Sequence, residues 1–499
     1  MHNLSLVLSR SSSGIDAPQI TVETHLGNGL PAFSIVGLPE KAVQESRERV
    51  RAAIVNANFE FPARRITVNL APADLPKEGS RFDLPIAIGI LAASGQIDSK
   101  AARDHEFIGE LALSGELRPV SGVLPAALAV ARAGRRLVVP QENAGEAACV
   151  EALTILPGSH LLQLSEHFNG TSLTPPFRSN SSIMQPAALP DMHDVIGQEQ
   201  AKRALLIAAA GGHSILMSGP PGTGKSMLAG RLPGLLPALS EEEALESAAV
   251  RSVAGLGFEL DSWRQPPFRS PHHSASSAAL VGGGTVPRPG EISLSHRGVL
   301  FLDELPEFDR RVLEALREPL ENGHITISRA GRQAEFPARF QLVAAMNPCP
   351  CGYHGHPHKP CRCTAEQIDR YRNRISGPVL DRIDIQVEVP ALPAADFAAG
   401  KGSRVESAAL RARVVACRQT QLERQQRLNS RLGPQDIERH CGLSDRQQEL
   451  LSRAIDKLNL SHRAFHRVLK LARTIADLDA CGQLEDRHLM EALNLRRTG

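Results

Sequence analysis

The sequence predicts an α/β protein in three parts: a compact N-terminal α/β domain, a parallel-sheet P-loop domain and a C-terminal α-helical lid. Three observations carry that expectation. Residues 214–226 pass from a short apolar strand through a glycine-rich loop into an amphipathic helix. Val299–Leu302 is a second wholly apolar run, and it ends in two acids. From about residue 402 the pattern becomes helical, polar and rich in Arg, Gln and Leu.

A chain of 499 residues holds about three domains, each with room for its own core. With 56 Lys and Arg against 54 Asp and Glu the formal net charge is only +2, so bulk charge announces no nucleic-acid partner and any DNA-binding surface is a local patch. No window approaches the roughly 18 consecutive apolar residues of a membrane span, and the first 15 residues lack a basic segment followed by an apolar one. A cytoplasmic protein with no membrane partner is expected. Of eight cysteines, Cys149, Cys417, Cys441 and Cys481 are scattered and four crowd between 349 and 363, a pattern of reduced thiols plus one metal site rather than a disulfide framework.

In residues 1–168 short apolar strands at 20–22, 33–36 and 66–70 alternate with helical stretches at 41–56 and 83–94. Residues 169–190, with repeated Ser, Asn and Pro, read as a linker. Strands and helices alternate again over 191–395, which reads as a second α/β core with a cysteine-rich insertion at 349–363. Residues 396–499 read as the lid.

The strand at 214–217 runs directly into Gly219-Pro220-Pro221-Gly222-Thr223-Gly224-Lys225-Ser226, a complete Walker A motif. Glycines let successive backbone amides turn inward around phosphate oxygens at a helix N-terminus. Lys225 reaches the β and γ phosphates of ATP, and Ser226 ligates Mg²⁺. An ordinary glycine-rich turn has no reason to sit between a buried strand and a helix.

Val299–Leu302 then reads as a buried parallel strand delivering Asp303 and Glu304, a Walker B pair. Asp303 holds the magnesium through water and Glu304 orients and polarises the attacking water. Two acids at the tip of a buried strand need a cation opposite them, which a surface strand-to-loop junction would not. A third apolar strand, 342–346, ends at Asn347, whose amide can also position the lytic water. The order Walker A, Walker B, sensor 1 asparagine marks an AAA+ ATPase.

Cys349-Pro-Cys351 and Cys361-Arg-Cys363 form two Cys-x-Cys pairs nine residues apart, able to close a tetrahedral, structural Zn²⁺ site, with His354, His356 and His358 as rival ligands.

The chain resembles the ComM/YifB family of magnesium-chelatase-like AAA+ ATPases over nearly its whole length. The carrying segments are Phe33-Ser-Ile-Val-Gly-Leu-Pro39, Glu45-Ser-Arg-Glu-Arg-Val-Arg51, Thr67-Val-Asn-Leu-Ala-Pro-Ala-Asp-Leu-Pro-Lys-Glu-Gly79, Phe268-Arg-Ser-Pro-His-His273, Asn347-Pro-Cys-Pro-Cys-Gly352 and Ala472-Arg-Thr-Ile-Ala-Asp-Leu478. The resemblance implies a hexameric ring motor acting on single-stranded or branched DNA, with branch migration in recombination and natural transformation as the family's best-known role. It also implies that Arg382, with Arg374 second, is an arginine finger reaching a neighbour's γ phosphate, and that Arg463, with Arg467 one turn on, is the sensor 2 arginine. A finger acting in trans requires head-to-tail closure of a ring.

The N-terminal part resembles the proteolytic domain of Lon and the ribosomal S5-like fold. Where Lon carries its nucleophile this chain reads Arg81-Phe82-Asp83, Ser80 lacks the glycine-rich setting, and no lysine occurs between Lys100 and the linker. A serine without a base is a poor nucleophile, so the domain is expected to be catalytically inactive. Arg269, His272, His273, Arg288, Arg297, Arg329 and Arg332 are candidate DNA contacts, because the insertions holding them face the pore in related ring ATPases. One Trp and two Tyr leave little for base stacking, so contact is expected mainly with backbone phosphates and to weaken steeply with salt. Two other function classes stay open: the ATPase subunit of a magnesium chelatase, and an ATP-dependent protein remodelling factor.

Overall fold

The computed structural model describes residues 3–37, 41–75, 77, 79–178, 188–257, 260–284, 287–329, 332–356, 358–392, 405–457 and 462–496. The first sheet has seven strands: β1 (Leu4–Arg10), β2 (Gln19–Gly27), β3 (Ala32–Val36), β4 (Arg65–Ala71), β5 (His105–Phe107), β6 (Arg136–Pro140) and β7 (Ile155–Gly158), in the order β3-β4-β2-β1-β5-β6-β7. β2 shows the period-two rule: Ile20, Val22, Thr24 and Leu26 are buried while the residues between them are not. Helix α1 (Lys41–Asn56) and the wholly buried α2 (Asp83–Ala93) cover one face of this sheet. α2 lies close because Gly89 has no side chain: a Cβ there would stand 2.5 Å from Thr24 Oγ1.

The second sheet is parallel throughout. It contains β8 (Ile215–Ser218), β9 (Phe268–Arg269), β10 (Val299–Leu302), β13 (Gln341–Met346) and β14 (Ile385–Glu388), in the order β9-β10-β13-β8-β14. β10 and β13 are buried at every position, as expected of central strands covered on both faces. Between them the chain makes an antiparallel hairpin, β11 (His324–Arg329) and β12 (Arg332–Pro337).

Helices α4 (Glu199–Gly211) and α5 (Lys225–Leu235) pack on this sheet, and α6 (Glu241–Ala254) reaches back to the first domain. There the helix α3 (Val123–Arg132) abuts α6: Gly122 N donates to Ser252 O at 3.0 Å, and the Ser252 hydroxyl donates to Glu146. The segment expected to be a linker is described only at 169–178 and 188–190; residues 179–187 lie outside the described residues.

After β14 and α7 (Ala365–Arg372), which precedes it in the chain, come the lid helices α8 (Ser407–Gln425), α9 (Asp445–Lys457), α10 (His462–Leu478) and α11 (Asp486–Asn494). Their apolar faces join the core that also holds α4, α5, Ile215 and Val387. A buried polar hub fixes the junction. Asp384 meets His213 at 3.3 Å and the Arg467 guanidinium, His213 meets Thr474 at 2.8 Å, and Arg496 donates to Ile383 O and Asp384 O at 3.1 and 3.2 Å. Burial alone would raise the Asp384 carboxyl. The hydrogen bond from His213 and the charges of Arg467 and Arg496 instead hold it well below the usual carboxylate range.

Candidate active site

The phosphate loop leaves the C-terminal end of β8, where parallel sheets present their binding loops. Gly219 opens it because nothing larger fits: a Cβ would lie 2.2 Å from Val389 O. Gly222 and Gly224 have φ of +78° and +89°, the left-handed region that glycine enters without steric cost, and α5 starts at the next residue, Lys225. The loop is anchored from the side by Gly219 N donating to Met346 O at 3.2 Å. Thr223 Oγ1 donates to Pro220 O at 3.0 Å, and Gln198 donates to Thr223 O at 3.3 Å.

The Lys225 ammonium is buried and donates to Gly219 O at 2.7 Å, Pro220 O at 2.8 Å and Asn347 Oδ1 at 3.3 Å. Burial lowers its pKa, against the opposing charges of Asp303 and Glu304. Ser226 Oγ, first turn of the same helix, donates to Asp303 Oδ2 at 2.5 Å. The other oxygen of Asp303 accepts from Glu304 N at 2.9 Å. A hydroxyl and a carboxylate in contact at a strand tip are a hard-oxygen pair suited to Mg²⁺, which takes one or two protein oxygens and completes its shell with phosphate and water. Thus Lys225, Ser226, Asp303 and Asn347, spread over 123 positions of sequence, converge on one point at the ends of β8, β10 and β13.

Glu304 stands beside them in an unusual backbone state, φ +52° without being glycine. Its carboxylate meets His273 Nδ1 at 3.0 Å, and the His273 ring lies edge-on to Phe308. His273 was expected on a DNA-facing surface; the structure brings it to the acid expected to activate water. The pairing spans 31 positions, and no local motif could reveal it. Its neighbour His272 bonds Ser274 at 2.7 Å.

Other expected DNA contacts are engaged within the chain. Arg269 makes two bonds of 2.6 Å with Glu291. Arg297 bonds Glu243 at 3.0 Å and Glu246 at 2.8 Å. The hydrogen bond from His296, with the Arg297 charge, pulls the Glu246 carboxyl down to about 2. Arg297 thus ties α6, and through it the first domain, to the segment feeding Walker B, while Arg269 ties β9 to the same segment through Glu291. Arg288 is exposed. Arg329 and Arg332 face each other across the hairpin end, and their side chains lie outside the described residues.

The arginines expected as finger and as sensor 2 stand apart from this cluster. Arg382 precedes β14, which pairs in parallel with β8 at Ile215↔Ile385, so it lies at the opposite strand end from the phosphate loop. It is buried at the floor of an open cleft, donating to Pro378 O at 2.6 Å and to Glu321. Arg374 is half exposed on the other side, next to its own Walker B loop, bonded to Glu307 at 2.7 Å and Pro306 O at 3.3 Å. Arg463 is exposed in the first turn of α10. Arg467, one turn on, donates to Arg382 O at 3.0 Å and belongs to the Asp384 hub.

Cys349, Cys351, Cys361 and Cys363 form one group. Cys349 and Cys351 sulfurs are 3.4 Å apart, Cys349 and Cys361 3.7 Å, Cys351 and Cys361 3.6 Å. Four thiolates at about 2.3 Å from a tetrahedral zinc stand about 3.8 Å from one another, whereas a disulfide is far shorter. The donor set fits Zn²⁺. No histidine is needed: His356 Nδ1 accepts from the His358 and Lys359 amides at 3.0 and 3.1 Å.

In the first domain the Ser80 hydroxyl donates to Glu110, Asp83 is buried against Arg49 at 2.8 Å, and the fully buried Lys77 donates to Pro72 O. Ser80 therefore faces a carboxylate. Among the described residues no helix is long and apolar enough to cross a membrane.

Three family models cover most of the chain: magnesium chelatase subunit ChlI over residues 191–397, subunit ChlI of Mg-chelatase over 22–143, and the ChlI C-terminal region over 404–496. The chain is 52% identical over 502 residues to competence protein ComM of Haemophilus influenzae, spanning 99% of this chain and 97% of that protein. It is 50% identical to the uncharacterized protein YifB of Salmonella typhimurium, over 99% and 97% of the two chains. The magnesium-chelatase 38 kDa subunit of Cereibacter sphaeroides is 28% identical over 174 residues, 31% of this chain and 51% of that protein. The chain belongs to the ComM/YifB family of magnesium-chelatase-like proteins.

Proposed function

We propose that this protein is an ATP-driven ring motor that remodels DNA. The observation that carries the reading is the meeting of Ser226 with Asp303 at 2.5 Å beside a Lys225 ammonium shared with Asn347. That arrangement is what a Mg²⁺-triphosphate requires: the amides of Gly222, Thr223 and Gly224 and an ammonium for the phosphates, and a hydroxyl and carboxylate for the metal. Ser226 and Asp303 would hold magnesium, which would neutralise charge on the triphosphate. Asn347 and Glu304 orient and polarise the attacking water.

Completion of the site comes from a neighbouring subunit. Arg382 lies at the strand end away from its own nucleotide, so it acts on the next subunit's in a closed ring, taken as a hexamer, and Arg463 serves as the sensor 2 arginine. Arg374, fixed beside its own Walker B loop, is the poorer finger. The cysteine group holds structural Zn²⁺, and the first domain, with Ser80 facing an acid, serves assembly or DNA contact rather than proteolysis.

DNA as substrate rests on the family and on the name competence protein carried by the Haemophilus relative; branch migration in recombination and natural transformation is the role we propose within it. Arg288 and His272 are exposed members of the candidate contact set among the described residues. ATP turnover measured with and without branched or single-stranded DNA tests the reading. Stimulation that fades steeply with salt supports it. Indifference to DNA, with stimulation only by a tetrapyrrole-binding partner, would replace it with a chelatase subunit.

A further inference from the structure

The cysteine group does not stand off as a free insertion; it is bolted to the phosphate loop. Cys349 follows Asn347 by two residues and is fully buried, while Asn347 accepts the bond from Lys225. Gly352, inside the first Cys-x-Cys turn at φ +82°, rests against the Walker A proline: a Cβ there would lie 2.7 Å from Pro221 Cδ.

The far end of the loop returns to the same place. Immediately after Cys363, Thr364 caps α7 by accepting from Gln367 N at 3.3 Å. That helix sends Tyr371 and Arg372 back onto the asparagine: buried Tyr371 bonds the Asn347 backbone, and Arg372 Nε donates to Pro348 O at 3.5 Å. Both ends of the loop therefore bear on the residues that grip the triphosphate and the water, and the four sulfurs are what close it. The sulfurs also take backbone contacts within the loop: Cys349 Sγ accepts from His354 N at 3.3 Å and Cys361 Sγ from Cys363 N at 3.4 Å.

We propose that the four-thiolate centre is a metal-dependent brace for the ATPase site, so that Zn²⁺ occupancy sets whether Asn347 and Pro221 are held in working position. The proposal rests on the zinc and ATPase readings above and adds that the first controls the second. Four thiolates deprived of the metal repel or reprotonate, the sulfur-to-sulfur contacts open, and the segment 347–352 loses the anchor that sets it against the phosphate loop. A displacement of about 1 Å at such a residue costs on the order of a hundredfold in turnover.

The experiment uses the full chain. Zinc is quantified per chain, removed with a zinc-selective chelator, and Mg²⁺ and ATP are then supplied; kcat, KM and binding of a fluorescent ATP analogue are read before and after zinc is returned. Circular dichroism and ring size are followed throughout. The expected result is one zinc per chain, a large fall in kcat on removal with secondary structure retained, and recovery on readdition. A second variant avoids the risk that cysteine substitution unfolds the protein. Gly352→Ala keeps all four thiolates but pushes on Pro221; it is expected to retain zinc and lose kcat.

Full turnover in the zinc-free chain, or in Gly352→Ala with zinc bound, would overturn the brace while leaving the metal site and the ATPase intact. Purified protein that hydrolyses ATP without containing zinc would overturn the metal reading and the brace together. Protein that holds zinc yet binds no nucleotide would overturn the ATPase reading instead, and the brace with it.

Discussion

His273 Nδ1 stands 3.0 Å from a carboxylate oxygen of Glu304. A carboxylate held against an imidazole is turned toward that ring, so it is less free to face the attacking water. Glu304 is also held at φ +52°, a cost of roughly 1 kcal/mol that persists where surrounding structure enforces it and that concentrates at functional positions. His273 lies on the segment after β9, which the sequence assigns to the substrate side, so the pair links that segment to the hydrolytic acid.

His273→Ala is expected to raise basal ATP turnover several-fold and to shrink any further stimulation by DNA, with nucleotide affinity unchanged. A steady-state assay with and without DNA checks it. A fall in kcat would show that the imidazole positions Glu304 for attack rather than restraining it.

The division of labour between Lys225 and Glu304 is tested by two further substitutions. Lys225→Ala removes the ammonium facing the phosphates and is expected to weaken ATP-analogue binding by at least tenfold, about 1.4 kcal/mol. Glu304→Gln keeps Asp303 and Ser226 in contact and is expected to bind ATP normally while losing on the order of a hundredfold or more in turnover. Retained turnover in Glu304→Gln would mean that another group prepares the water.

The contrast between these residues and His273 marks what a sequence can tell. Gly219 to Ser226, Asp303, Glu304 and Asn347 were legible because each sits at the end of a buried strand, and parallel pairing of β8, β10 and β13 forces those ends together. Three of the five parallel strands, β8, β10 and β13, and the helical character of the lid followed from local periodicity; β9, only two residues long, and β14 did not. Pairings between distant polar side chains did not. Arg269 with Glu291, Arg297 with Glu243 and Glu246, and the Arg467–Asp384 hub depend on which loops meet in space, and charge along the chain does not encode that. Arg269 and Arg297 looked like free cations for DNA and are instead joints of the protein. The thiolate group was visible from spacing, but its contact with Pro221 was not.

His105 gives a pH prediction for the first domain. Burial, reinforced by the Arg136 charge, pushes its pKa down from the ordinary value to about 4. The folded state thus binds this proton later than the unfolded chain. The associated stability is fully present above about pH 6.5, declines as pH falls through that value, and is lost by about pH 4. A shift of this size is worth about 3 kcal/mol, reduced to about 2 for incomplete burial. Thermal unfolding measured between pH 7 and 4 should show this loss, and His105→Phe, which fits beside Phe107 and Phe168, should flatten it.

The position of Arg382 makes a prediction that separates a ring from a self-sufficient monomer. β8 rises about 3.3 Å per residue, so its four residues put roughly 13 Å between the phosphate loop and the end where Arg382 sits. The same strand register holds in every subunit, which leaves Arg382 unable to reach its own nucleotide and able to meet a neighbour's once it releases Glu321. Lys225→Ala and Arg382→Ala chains should each be inactive alone, the first for want of binding and the second of the finger. In an equal mixture, an interface works when an intact phosphate loop from an Arg382→Ala chain faces an intact Arg382 from a Lys225→Ala chain. Random assembly makes about a quarter of interfaces so, and about that fraction of wild-type turnover should return. No recovery, with mixed rings verified by mass, would place the finger elsewhere; an Arg382→Ala chain that hydrolyses ATP normally alone would remove it from the mechanism.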